Sequence, residues 1–296
     1  MKYDKISGFS DEIAGSLKAQ IQGVKETGIS YISIRNVNGK NICEYTPEDV
    51  KQQILPLLIG SGIKVSSIGS PLGKIQVDDE KEFRRQIVQA HNIAHIARIL
   101  DCNFVRVFSF YLPEGDTPEK WRTVVFDKLK KFVDIFGSYG ITVLHENEKE
   151  IYGDTAERCR ELLENMDSPF FKGIFDFANF VQCHEETWRA YQILKKYIAY
   201  FHIKDALFKN KETVVCGQGD GEIKRILKDA FESGYQGFLT LEPHLVLFDG
   251  LGSLERKEAD EIVKKNKAGS GLEAFRMQYS GLENILGEII NFSQLV

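Results

Sequence analysis

The stretch YGITVLHE, residues 139–146, carries a glycine into a short apolar, β-branched run that ends on two ionisable side chains. Gly140 stands where a helix would stop in a left-handed residue, and the run behind it reads as a strand. The same plan recurs in TGISYISI (27–34), SGIKVSSI (61–68) and SGYQGFLT (233–240), each after an amphipathic segment. Four such junctions, with similar unmarked ones between them, read as alternating helix and strand.

The strands are expected at 5–10, 31–36, 64–69, 103–109, 140–146, 171–177, 198–204 and 237–242. Helices follow at 14–26, 47–60, 79–100, 117–137, 154–166, 185–197, 221–233 and near 272–290. In the third helix Phe83, Ile87, Ala90, Ala94 and Ala97 recur at helical spacing. The strands are apolar on both faces, as in a parallel sheet covered on both sides. Eight strand–helix pairs in 296 residues predict one α/β domain, a (β/α)₈ TIM barrel over 1–296. The rival, an open doubly wound sheet, wants a glycine-rich turn after its first strand, and SGFSDEI (7–13) does not supply one.

The composition, 43% hydrophobic and 27% charged, is that of a globular protein. A net charge of −5 leaves no basic footprint for nucleic acid or an anionic membrane. The first residues, MKYDKISGFSDEI, lack an apolar core of the secretory kind, and the longest apolar run, ILPLLI, is far too short to cross a bilayer. Cys43, Cys102, Cys159, Cys183 and Cys216 are scattered without CxxC spacing. They read as reduced thiols of a cytoplasmic protein, not as a disulfide framework or a cysteine-ligated zinc. A homo-oligomer is compatible with all of this.

In such a barrel the carboxyl ends of the strands form the active face. The fifth strand ends in His145-Glu146-Asn147. The sixth, KGIFDFANF, carries Asp176 and Asn179, and the seventh, YFHIKDA, carries His202, Lys204 and Asp205. The eighth, FLTLEPHL, carries Glu242 and His244. Alternation turns Glu146 inward with Leu144, His202 with Tyr200 and Lys204, and Glu242 with Thr240. A buried carboxylate is costly without a partner, and a divalent cation would supply one. Three carboxylates and one imidazole favour Mn²⁺, Mg²⁺ or Co²⁺ and admit Zn²⁺. A single strand-end carboxylate is most often a helix cap or a salt-bridge partner, and Asp154, Asp205 and Asp220 are expected to be caps. Four donors on four adjacent strands favour one shared metal.

Other candidates carry two readings each. Lys204 either polarises a substrate oxygen or binds an anionic substituent, or else pairs with a ligand carboxylate. Lys74, in GSPLGKI after the third strand, either grips an anionic substituent or is a solvated loop lysine. Arg35, in SIRN, either reaches into the site or satisfies rim carbonyls, and His244 is placed to support Glu242. His145 is expected to face the helix layer, and His91 and His95, which lack the glutamate of HExxH, to pack on their helix. CGQGDGEIKRIL (216–227) lies where barrels often bind phosphate, but turn glycines with Asp220 as cap are the preferred reading. The charged segment GSLERKEADEIVKKNKAGSG (252–271) is expected to be a solvated helix usable as a lid or oligomer contact.

With these segments in view, the chain resembles the sugar phosphate isomerase/epimerase superfamily, the xylose isomerase-like TIM barrels that include ketose 3-epimerases. The resemblance spans nearly the whole chain and is strongest over 140–245. It rests on a Glu ending strand five, a D-x-x-H/N element after strand six, a His ending strand seven and a Glu-Pro closing strand eight. Here these are Glu146, Asp176 with Asn179, His202, and Glu242 with Pro243. The resemblance implies that Glu146, Asp176, His202 and Glu242 bind one divalent metal, and that Glu146 and Glu242 also exchange the substrate proton. Asn179 stands where the D-x-x-H form has histidine, which weakens a substrate contact there. The endonuclease relatives need further histidines on strands three and four, and SSIGSP and RVFSFY have none.

The implied activity is a metal-dependent isomerase or epimerase of a ketose or ketose phosphate, acting by proton abstraction next to a carbonyl through a metal-stabilised enediolate. An inosose-type dehydratase on the same scaffold and a catalytically silent sugar-binding barrel are the alternatives.

Overall fold

All four junction glycines adopt the left-handed backbone expected of them, with φ of 75° at Gly28, 74° at Gly62, 67° at Gly140 and 87° at Gly234. A side chain is disfavoured there, so glycine stops each helix and frees the chain into the next strand. The computed structural model describes residues 3–248, 251, 263 and 266–293. Its main sheet consists of β1 (Ile6–Gly8), β2 (Tyr31–Ile34), β3 (Lys64–Ile68), β4 (Phe104–Val107), β5 (Thr142–Glu146), β6 (Phe171–Asp176), β7 (Ile198–Ile203) and β8 (Phe238–Leu241). Around it lie α1 (Leu17–Glu26), α2 (Leu55–Ser61), α3 (Glu80–Ile99), α4 (Pro118–Ser138), α5 (Ala156–Asn165), α6 (Phe177–Gln182), α7 (Thr187–Leu194), α8 (Ile223–Glu232) and α9 (Gly271–Ser293).

The strands are hydrogen-bonded in the order β1-β8-β7-β6-β5-β4-β3-β2, every ladder parallel. Only a single parallel bridge, Phe9 to Ser33, joins β1 to β2 and brings the sheet round on itself. This is the expected (β/α)₈ barrel. The structure adds α6 and two short hairpins, Asn36–Val37 with Lys40–Asn41 and Asp205–Ala206 with Thr213–Val214. These are too short for a hydrophobic period to mark. Of the charged segment 252–271, residues 252–262, 264 and 265 lie outside the described residues. Among the described residues no helix is long and apolar enough to cross a membrane, and all five cysteines are free thiols.

Strand alternation divides the barrel into two environments. The outward residues Val105, Val107, Val143, Phe175, Phe201, Ile203, Leu239 and Leu241 join the large core under the helices. The inward residues change character along the axis. Leu144, Ile174 and Tyr200, with Phe104, Ala199 and Phe238, form a separate apolar plug. The Tyr200 hydroxyl lies 2.8 Å from Ser66 Oγ, 3.0 Å from Ser67 Oγ and 2.6 Å from Thr240 Oγ1. Ser7 bonds Thr240 at 2.5 Å, and Ser33 bonds Ser67 at 2.7 Å. A closed hydroxyl layer therefore separates the plug from the charged mouth.

Buried hydroxyls left without partners cost more than the bond they lose. Tyr200→Phe is expected to destabilise the protein by about 1–3 kcal/mol, read from urea unfolding. An unchanged midpoint would show that the serines re-pair among themselves.

Candidate metal and catalytic site

Strand register sets the height of each donor. Glu146 pairs in the ladder with Ile174, two residues before Asp176; Asp176 pairs with His202, and His202 with Thr240, two before Glu242. The side chains meet at the mouth. His202 Nδ1 lies 2.8 Å from Glu146 Oε1, 3.6 Å from Glu242 Oε2 and 3.9 Å from Asp176 Oδ2. One ligand atom from each of the four residues lies within 4.8 Å of all the others. Donors around an ion at about 2.1 Å sit roughly 3.0–3.4 Å apart, so a small closure would form a shell.

Asp176 serves two purposes. Its Oδ1 caps α6, accepting from the Asn179 N–H at 2.8 Å. Asn147 grips its backbone, accepting from the Asp176 N–H at 2.9 Å and donating to its carbonyl at 3.0 Å. That leaves Oδ2, fully buried and accepting no hydrogen bond, aimed at the other donors. It lies 3.1 Å from Lys204 Nζ, an ion-pair distance without hydrogen-bond alignment. An orphaned carboxylate oxygen among two further carboxylates and an imidazole fits a divalent cation.

The remaining charge comes from three buried cations. Arg106, on β4, donates to Glu146 Oε2 at 3.0 Å and stands 3.9 Å from Glu242 Oε1. Arg35 donates through Nε and Nη2 to both oxygens of Asp11, at 2.8 and 3.1 Å, and through Nη1 to Glu242 at 2.9 Å. It also reaches Glu12 at 3.3 Å. Lys204 Nζ sits 3.1 Å from Glu242 Oε2. Both guanidinium groups lie over the Phe9 ring, Arg35 at 4.3 Å and Arg106 at 5.2 Å from its centroid.

These neighbours sort the acids. Burial alone would raise Glu146, but His202 and Arg106 outweigh it and hold the carboxyl below its usual range. Burial is likewise overcome at Glu242 by Lys204, His244, His202 and Arg35, which hold it well below. At Asp176 burial wins: Lys204 opposes it, the two glutamates reinforce it, and the carboxyl is pushed up to about 7. Burial also lifts Glu12, to about 8, against the pull of Arg35. This connected network holds five carboxylates and three cations besides the imidazole. The carboxylates outnumber the arginine and lysine groups by two, a deficit that protons on Asp176 and Glu12 or a divalent ion would relieve.

The other expected residues fall around this centre. Lys74 pairs with Glu148 at 3.0 Å and lies over the Phe108 ring at 4.4 Å. Asn179 donates to the Asn147 carbonyl at 2.9 Å, and its Oδ1 is buried without a partner. His244 has a left-handed backbone, φ 46°, and its N–H donates to Glu12 at 2.8 Å. Its Nε2 lies 3.5 Å from Glu12 and 3.6 Å from Glu242. Burial pushes His244 well below its usual value, against the pull of Glu242. His145 points away, bonding Ser109 Oγ at 3.0 Å on the helix side.

None of the three carboxylates expected to cap a helix does so. Thr155 caps α5 while Asp154 pairs with Arg158. Asp220 accepts from the Phe208 N–H at 2.7 Å, and Asp205 accepts from the glycine loop. Sequence reasoning missed Arg106, Asp11, Glu12 and Asn147. For Arg106 there was a signal: within FVRV it shares the inward parity of Phe104, and an arginine buried inside a strand demands an acidic partner.

An eight-stranded α/β barrel with three carboxylates and an imidazole gathered at its carboxyl-end mouth is the class defined by this geometry. The chain belongs to the xylose isomerase-like TIM barrel family, whose family model matches residues 21–262. A curated relative, the 3-dehydroshikimate dehydratase of Bacillus anthracis, is 20% identical over 185 residues, 62% of this chain and 65% of that protein. The aligned region thus spans a little under two thirds of that relative's length.

Two solved structures are alike over nearly their whole length. The D-allulose 3-epimerase from Methylomonas sp. superposes with a TM-score of 0.74 at 13% identity, covering 96% of this chain and 99% of that one. The IOLI protein, solved with a zinc atom bound, gives 0.72 at 17% identity, with 96% and 99% covered. At such identities the likeness carries the fold alone.

The raised acids set a pH dependence. Through the range where Asp176 and Glu12 keep protons that the unfolded chain has released, raising the pH destabilises the metal-free fold. His145, pushed by burial down to about 4, and His244 act in the opposite sense, but only up to the usual histidine value. The net decline is therefore expected between roughly pH 6.5 and 8, about 2 kcal/mol in all. Urea midpoints of metal-free protein check it, and saturating divalent cation should flatten the slope by displacing the protons. A midpoint that stays level over this range would mean that both acids are already ionised.

Proposed function

We propose that this protein is a metal-dependent carbohydrate isomerase or epimerase that removes and returns a proton on carbon next to the carbonyl of a ketose or related polyhydroxy ketone. The observation that carries the reading is the pair Glu146 and Glu242. Both are buried, both are held ionised by cations of their own, and both approach the same His202 nitrogen, at 2.8 and 3.6 Å. A divalent cation held by Glu146, Asp176, His202 and Glu242 would supply Lewis-acid polarisation of the carbonyl and neighbouring hydroxyl oxygens.

The chain's own groups do the rest. One glutamate takes the α-proton and the other delivers a proton to the opposite face, which inverts the centre. A single glutamate doing both on one face gives a 1,2-isomerisation instead. Arg106 and Arg35 fix the two carboxylates in direction, so little reorientation is needed on reaction. The Lys204 ammonium, held well above its usual value by Asp176 and Glu242 against the effect of burial, brings a permanent positive charge toward the oxygen where negative charge develops.

Family membership and the fold shared with the D-allulose 3-epimerase support this reading. The dehydratase among the relatives supports a second: the same first proton removal, followed by loss of a β-hydroxyl as water. Assaying metal-loaded protein with ketoses in D₂O separates them, because epimerisation leaves a deuterated isomer whereas dehydration leaves a product lighter by one water.

Glu146→Gln and Glu242→Gln are each expected to lower deuterium exchange by at least about 10²-fold while the circular dichroism spectrum is kept. Exchange near the wild-type rate in either variant would remove that glutamate from the acid–base role.

A further inference from the structure

The loop entering α8 carries the glycines of CGQGDGE, residues 216–222, at the part of the rim where barrels of this kind commonly take a phosphate group. Its backbone N–H groups do converge, but on a group from the chain itself. Gly217 and Gly219 donate to Asp205 Oδ2 at 2.9 and 3.0 Å. Gly221 and Ala206 donate to Oδ1, each at 3.0 Å. Asp205 is only 1% exposed, so its charge is met by these four dipoles rather than by water. A side chain at Gly219 or Gly221 would collide with the carboxylate, and Gly217 has φ 86°. All three glycines are therefore needed to let the backbone close on it.

Among the described residues, five cations of the rim are engaged in the same way. Arg35, Arg106 and Lys204 face the site carboxylates, while Lys74 and Lys149 each pair with Glu148 at 3.0 Å. To pair with any of these five, a phosphate dianion would have to displace an internal carboxylate.

We infer that the anion cradle of this barrel is permanently occupied by Asp205, and that the substrate is accordingly an unphosphorylated polyhydroxy carbonyl compound. The second half rests on the proposed function; the cradle stands on its hydrogen bonds alone. The three glycine bonds tie loop 216–221 to the strand end that bears His202 and Lys204. Asp205 is thus a positioning residue for that end of the site.

Two measurements test this. Metal-loaded wild-type protein is offered free ketoses and their terminal phosphate esters in D₂O. The free sugars are expected to have at least tenfold the kcat/KM of the esters, and an equal or greater value for an ester overturns the substrate assignment. Exchange with neither class would count against the proposed reaction and leave the cradle to the second measurement. There, Asp205→Gly removes the internal anion, and its melting temperature is expected to fall by roughly 5–10 °C. Formate, which can re-enter the vacated cradle, should restore at least half of that loss at about 0.1 M, where chloride at equal ionic strength does not and the wild type gains nothing. If the variant does not fold unaided, its refolding yield in formate against chloride gives the same comparison. Formate and chloride acting alike would overturn the cradle.

Discussion

Six carboxylates, Asp11, Glu12, Glu146, Glu148, Asp176 and Glu242, are buried together at the mouth of one barrel, and the rest of the site is arranged to make that tolerable. Each would cost several kcal/mol to desolvate as an isolated ion. The chain answers with cations rooted at the ends of neighbouring strands, where strand alternation turns them inward. The choice of cation follows from geometry. Arg35 meets both oxygens of Asp11 and still reaches Glu12 and Glu242, which needs the planar, many-donored guanidinium and not an ammonium. The compensation is deliberately incomplete only at Asp176 and Glu12. That local deficit leaves, within a packed electrostatic network, a cluster that could hold a further positive charge.

The layers beneath explain why the network can be so exact in direction. Below the charges lies the ring of hydroxyls around Tyr200, and below that the apolar plug of Leu144 and Ile174. Each layer satisfies its own polar groups, so no part of the mouth has to borrow a hydrogen bond from the floor. The glutamates are held from the side by arginines and not from beneath, leaving their remaining oxygens to face the centre.

Much of this was legible in the sequence, for identifiable reasons. The fold could be read because Gly28, Gly62, Gly140 and Gly234 mark the points where a helix must yield to a strand, and the backbone at each is left-handed as that demands. The convergence of Glu146, Asp176, His202 and Glu242 could be read because each closes a strand at the same parity. What escaped lies where no period operates. Asp11 and Glu12 sit in a single 3₁₀ turn, Ser10–Glu12, and a turn that short has no pattern. Asn147 acts on the backbone of Asp176, and the cradle around Asp205 is built from N–H groups, which have no letter in the sequence. Arg106 differs from these: its inward parity within FVRV is written in the sequence, but its carboxylate partners lie on other strands.

The edge between β1 and β2 adds a mechanical meaning to the chemistry. Most neighbouring strands share a ladder of three or four residue pairs, whereas this pair has one bridge, Phe9 to Ser33, outside the strands themselves, and β3 meets β4 through one pair, Ile68 with Val105. Across that gap runs Arg35, anchored just after β2 and fastened to Asp11 and Glu12 beyond β1 and to Glu242 beyond β8. The guanidinium is thus the buckle of the belt as well as a partner of Glu242. Any slackening of the barrel at its open edge swings Glu242 with it, so the hoop and the chemistry it surrounds cannot drift apart independently.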